Sequence, residues 1–178
     1  MPILNKTDRF EMNILVHLDA AFNLARWLMR HGPDAEDVVQ EACMRAFKYF
    51  DSFHGNDGKA WLLTIVRNTC YSRFQQNKLQ PVTSTLDEEN GAAEFQQAST
   101  IEDPEEILSR LQDIQYLGQA IAALPIEFRE VLILRELEDL PYKSIADIVS
   151  IPIGTVMSRL SRARALLRQQ LNESGFES

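Results

Sequence analysis

Between Ile151 and Leu171 the chain reads IPIGTVMSRLSRARALLRQQL, with arginine at 159, 162, 164 and 168 and no acidic residue. Guanidinium groups and short hydroxyls on one helix-length stretch suit the recognition of phosphates and base edges. Arginine donates two bonds to guanine, and serine or threonine contacts bases or phosphates. Advancing about 100° per residue from Thr155, Val156, Leu160, Ala163, Leu167 and Leu171 fall in a window roughly 80° wide. Thr155, Ser158, Arg159 and Arg162 gather on a different side, and Arg164 and Arg168 flank the apolar stripe. A second candidate surface lies in KAWLLTIVRNTCYSRFQQNK, from Lys59 to Lys78. At helical spacing Trp61, Leu62, Ile65, Val66 and Thr69 share an inward side, while Thr64, Arg67, Tyr71, Gln75 and Lys78 project from the opposite one. A tyrosine among cations suits single-stranded DNA, where aromatic faces stack on bases and cations follow phosphates. The same pattern also describes an ordinary amphipathic helix with a surface tyrosine.

The elements around these stretches must hold them. YKSIADIVS, then IPIG, then TVMSRLSRAR spell a short helix, a brief turn and a longer helix, with Ala146 where two crossing helices need a small side chain. That is the order of a helix-turn-helix, whose second helix enters the major groove; the plainer alternative is a solvated basic face on a bundle helix. Upstream, Phe10, Ile14, Leu18, Phe22, Ala25 and Met29 predict a helix over Asp8–His31. HGPD breaks it, and Asp34 is placed to cap a helix over Asp34–Phe50 that buries Val38, Val39, Ala42, Cys43, Ala46, Phe47 and Phe50. The loop DSFHGNDGK precedes a helix over Lys59–Gln76. Farther on, Asp103 caps and Pro104 opens a helix striped by Ile107, Leu108, Leu111, Ile114, Leu117, Ile121 and Leu124. No run alternates with period two, so the fold class is all-α.

Charge divides the 178 residues. Residues 1–80 carry 10 Lys and Arg against 9 Asp and Glu, residues 81–113 carry 1 against 9, and residues 114–178 carry 7 against 8. One polar segment thus accounts for the net charge of −8. It is too poor in apolar groups to offset its ordering entropy and reads as an acidic, flexible linker between two small helical bundles. No stretch is long enough to span a bilayer, and the N-terminus lacks the features of a signal peptide, so a cytoplasmic protein is expected. Cys43 and Cys70 sit in apolar helical patterns and read as buried thiols, with a redox pair as the alternative. The three histidines show no ligand-like spacing, so neither a metal nor another cofactor is expected. No nucleophile–base pattern or phosphate loop suggests an enzyme.

Taken together, DAEDVVQEACMRAFKYFDSFHG, AWLLTIVRNTCYSRFQQNK and LPIEFREVLILRELEDLPYKSIADIVSIPIGTVMSRLSRAR resemble the extracytoplasmic-function (ECF, group IV) sigma factors of bacterial RNA polymerase, over nearly the whole chain and in the family's order. The resemblance implies region 2 in residues 1–80, a linker in 81–103 and region 4, the helix-turn-helix, in 104–178. It implies that Asp37, Gln40, Glu41 and Met44 dock on the β′ clamp helices of core polymerase, with the β flap as a further contact. Phe53, His54, Gly55, Asn56, Trp61, Arg67, Asn68 and Tyr71 would read and melt the −10 element, with a flipped base held in the Ser52–Lys59 loop and Asn68 wedging the opened duplex. Thr155, Ser158, Arg159, Arg162 and Arg164 would contact the −35 element. An anti-sigma factor and a role in stress response follow from the family as well. Three positions depart from its pattern: Met157 stands where many relatives carry a cation, Ser150 where many have glycine, and His54 replaces a common arginine. A free-standing helix-turn-helix regulator would need a dimerisation element, and none is evident. A mimic that only titrates an anti-sigma factor would have no use for these arginines.

Overall fold

Caps and prolines set where the helices start. The structure, a computed structural model, describes residues 2–79 and 103–175. Asn5 and Asp8 form a reciprocal capping box, with the Asp8 amide donating to Asn5 Oδ1 at 2.9 Å, and open helix α1 (Lys6–Asn13). The expected single helix over Asp8–His31 is interrupted. After Asn13 the chain makes a 3₁₀ turn over Leu15–His17 before helix α2 (Leu18–Met29). The interruption falls where the start of helix α4 (Gly58–Leu79) meets it: a methyl group at Gly58 would overlap the Asn13 carbonyl oxygen. Helix α3 (Gly32–Lys48) begins two residues before the expected cap. Pro33 lies in its first turn, where a missing N–H costs nothing, so Asp34 falls inside the helix and pairs with His31 at 3.4 Å instead. Asp57 caps α4 by accepting from the Ala60 amide at 3.0 Å.

The second group opens as the sequence implies, with Asp103 accepting from the Glu105 amide at 3.2 Å and Pro104 starting helix α5 (Pro104–Ala122). Its stripe is less buried than expected. Ile121 and Leu124 are covered, but Ile107, Leu108, Leu111 and Leu117 stay exposed. Helix α6 (Ile126–Leu132) continues into a π turn over Ile133–Leu137, where the Glu138 amide donates to the Ile133 carbonyl at 3.2 Å. Helix α7 (Tyr142–Val149) and helix α8 (Ile153–Glu173) follow.

Helices α2, α3 and α4 pack on one another, and α6 and α7 pack on α8, giving two helical groups and no strand among the described residues. The expected linker lies outside those residues except for Asp103. The groups also touch: α4 lies against α7 and α2 against α6, so one apolar core runs through both.

The turn between α7 and α8 rests on two small features. Ala146 is buried at the crossing. Ser150 adopts the left-handed conformation at φ 59°, ψ 47°, and its amide caps α7 on the Ala146 carbonyl. A side chain pays roughly 1–2 kcal/mol for that conformation, and glycine avoids this at an entropic cost of about 0.5–1 kcal/mol. Ser150→Gly is therefore expected to raise the thermal midpoint slightly, whereas Gly58→Ala should lower it by the equivalent of about 1–3 kcal/mol. Thermal unfolding followed by circular dichroism checks both signs.

Candidate nucleic-acid interface

Helix α8 buries Val156, Leu160 and Ala163 against the second group, packs Leu166 and Leu167 partly against it, and turns other residues of its first four turns outward. Ser158 and Arg162 are exposed, and Thr155 and Arg159 are half-exposed. The Ser158 hydroxyl donates to the Thr155 carbonyl at 3.1 Å. Among the described residues neither Arg159 nor Arg162 has an acidic partner. Arg164 differs: its Nη2 lies 2.8 Å from Glu136 Oε1, and that hydrogen bond, with the attraction of the carboxylate, raises its pKa. A DNA contact by Arg164 would have to compete with Glu136. Ser161 also lies exposed on the outward side, about midway between Met157 and Ser158 around the helix. The sequence reading passed over it, although the same wheel that placed Ser158 places Ser161.

The candidate −10 residues fall into two sets. Phe53 is half-buried, stacked on Phe50 at 5.9 Å and tilted against Trp61 at 5.1 Å, so these rings form the floor under the loop. His54, Gly55 and Asn56 stand exposed above them, and Asn68 is exposed on α4. Arg67 and Tyr71 are half-buried and do not project freely into solvent. Arg67 Nε donates to Glu130 Oε2 at 2.9 Å, and its guanidinium lies 4.1 Å from the Tyr71 ring centroid. Burial pulls the Arg67 pKa down, but the hydrogen bond and charge of Glu130 outweigh it and leave the group raised. Burial, reinforced by Glu130, pushes Tyr71 up to about 12.

Glu130 belongs to α6, so this cluster joins the two groups. Glu138 repeats the pattern. It accepts from Asn23 Nδ2 at 2.7 Å and lies 3.2 Å from Lys59 Nζ, which also donates to the Glu138 backbone carbonyl at 2.9 Å. Arg30 and Arg129 both donate to the Ala122 carbonyl at the end of α5, where exposed carbonyls favour cations. Burial and the neighbouring Arg30 lower Arg129 to about 10. Neither Glu130 nor Glu138 was singled out from the sequence. The signal for Glu130 was its place beside the uninterrupted run Val131–Leu134, which leaves a carboxylate at the start of a buried segment.

On α3, Asp37, Gln40 and Met44 share an exposed face, with Met44 69% exposed. Glu41 is half-buried and tied to Arg45 at 2.6 Å and Arg73 at 3.3 Å, which fastens α3 to α4. Both cysteines are free. Burial raises the Cys43 pKa and takes Cys70 to about 12, so neither is an activated thiolate. No described helix is long and apolar enough to cross a membrane.

The Arg67–Glu130 pair has a measurable consequence. Glu130 is fully buried, so Arg67→Ala strands its carboxylate and should cost about 3 kcal/mol or more in urea unfolding. The Arg67→Ala, Glu130→Ala double variant should lose less than the sum of the single losses; additive losses would mean the two residues act independently.

Residues 14–80 match the family described as Sigma-70 region 2, and residues 114–167 match Sigma-70, region 4. The chain is 34% identical over 170 residues to the ECF RNA polymerase sigma-E factor of Escherichia coli K12, covering 90% of this chain and 86% of that protein. It is 31% identical over 167 residues to the RNA polymerase sigma-H factor of Pseudomonas aeruginosa, covering 91% and 86%. Among solved structures it is similar to the sigma factor RpoE of Bartonella quintana, in co-crystals with the anti-sigma factor NepR. That likeness has a TM-score of 0.71 at 30% identity over 92% of this chain and 97% of the other.

Proposed function

This chain belongs to the ECF sigma factors of RNA polymerase, which are not enzymes, and from that membership we propose that it binds core polymerase, reads −35 and −10 promoter elements and helps open the duplex. The observation that carries the reading is the outward face of α8, where Ser158, Arg162 and the half-exposed Arg159 stand without acidic partners among the described residues. A helix of this kind places its N-terminal side chains on base edges in the major groove, with Thr155 alongside. The exposed face of α3, Asp37, Gln40 and Met44 with Glu41 at its edge, is the surface proposed for the β′ clamp helices. The exposed apolar stripe of α5 supports docking of the β flap. Anti-sigma control is proposed by likeness to the Bartonella protein, which was solved with such a factor.

In this reading the loop at His54, Gly55 and Asn56 receives the flipped base, over the floor of Phe53 and Trp61, and Asn68 wedges the duplex. Arg67 and Tyr71 hold the displaced strand. They do so only after α6 leaves α4, because a phosphate and Glu130 cannot occupy the same guanidinium edge. Separation of the two groups is thus a step in −10 recognition, and it fits docking on polymerase, which would hold regions 2 and 4 apart.

Transcription in vitro with core polymerase tests the reading, and its failure on every promoter from the source genome would overturn it. Arg162→Ala should reduce transcription about tenfold, equivalent to losing about 1–3 kcal/mol of base discrimination, while core binding persists. Asn68→Ala should impair opening of double-stranded templates and spare premelted bubbles. Equal loss on both would remove the wedge role.

A further inference from the structure

On the wheel of α8, the buried stripe of Val156, Leu160 and Ala163 centres near 110°, so the outward direction lies near 290°, between Ser158 and Ser161. The two flanks of that direction differ chemically. Thr155, Arg159 and Arg162 occupy one. The other begins with Ile153 and Met157, one turn apart, 45% and 53% exposed. Its first cation is Arg164, about two turns beyond Met157 and held by Glu136 at 2.8 Å. At the groove-entering end of α8, one flank is therefore cationic and the other apolar.

A helix about 10–12 Å across fills a major groove about 12 Å wide, so the two flanks face the two opposite walls. An arginine flank meets phosphates and guanine edges. A methionine and an isoleucine can bond to neither. The apolar group that B-DNA displays in the major groove is the thymine C5-methyl, which projects from the outer edge of its base toward its own backbone. It therefore sits where a flanking side chain, rather than a central one, arrives. Single exposed apolar side chains are ordinary on protein surfaces. This pair is distinguished by its register on the reading helix and by the arginines of the opposite flank, which have no acidic partner among the described residues.

We propose that Met157 and Ile153 form a thymine-methyl reader, selecting thymine at one or two positions of the −35 element on the strand opposite the arginine flank. The proposal deepens the promoter-reading role of α8 and rests on it. Methionine suits the task because its flexible, polarizable thioether adapts to a methyl group without needing a fixed rotamer. Selectivity here comes from excluding water between two apolar groups, so it should be nearly independent of salt, unlike the arginine contacts.

The experiment uses holoenzyme reconstituted with the full chain and a −35 duplex enriched from a random pool. Each thymine is replaced singly by deoxyuridine, which removes one methyl and keeps every hydrogen bond. Wild type should lose about fourfold in affinity at one or two positions, the value of one buried methyl. Met157→Ala should bind the thymine duplex more weakly and no longer distinguish it from the deoxyuridine duplex at its position. Met157→Lys should lose methyl discrimination at that position and bind with a salt slope steeper by about one unit. Wild-type indifference to deoxyuridine at every position, or discrimination that survives in Met157→Ala with Ile153→Ala, would overturn the proposal. Failure to enrich any −35 sequence, or enrichment unaffected by Arg162→Ala, would instead overturn the promoter-reading role itself.

Discussion

A carboxylate with no access to solvent governs how this molecule is put together. Glu130 is fully buried, and an isolated ion there would cost several kcal/mol. Arg67 answers it through two nitrogens, at 2.9 and 3.3 Å, from the other helical group. Neither residue can relax alone, so the pair fixes α6 against α4. Around it, Lys59 and Asn23 converge on Glu138, which the widened turn after Leu132 delivers to the same side. The contact joins these polar pairs to the apolar core shared by both groups, and polar partners can be exchanged for other polar partners more readily than apolar ones.

The second group solves a different problem, presenting a helix without burying its useful face. Val156, Leu160 and Ala163, with the partly buried Leu166 and Leu167, anchor α8. The left-handed Ser150 and the small Ala146 let α7 cross close to it. Glu136 then pairs Arg164, which leaves Arg159 and Arg162, among the described residues, without an acidic partner on the outward face. Segregating arginines in this way makes the reading face directional.

Most of the helices and the two-group division were legible because they depend on local chemistry: the Asp103 cap, Pro104, the apolar stripes and the small residue at 146. The outward residues of α8 were legible for the same reason, since a wheel needs only spacing. The break at Asn13 was not, because it lies against Gly58, 45 residues away in sequence and met only in the folded chain. Asp34 is a good capping side chain, but the stronger preference of Pro33 for a first turn sets the start of α3 ahead of it. The partial burial of Arg67 and Tyr71 could not be read from their own helix at all. A wheel shows which side avoids the local core, but a second group can cover that side too. The exposed half of the α5 stripe is the converse case, an amphipathic pattern whose partner is not another described helix of this chain.

Charge distribution links these observations to promoter reading. The acidic excess lies between the two groups, leaving residues 1–80 at +1 and residues 114–178 at −1. Affinity for duplex DNA grows with the number of phosphates neutralised, and α8 offers few free cations, so the chain alone should hold DNA weakly. On α4 the deficit is greater, because Arg67 is already neutralised by Glu130. A DNA strand gains that guanidinium only by displacing a carboxylate whose burial depends on it, and the freed Glu130 must then reach water. In the proposed −10 reading, strand capture on α4 and separation of the groups are therefore coupled, and anything that holds the groups apart, by solvating Glu130 first, would make the strand contact stronger.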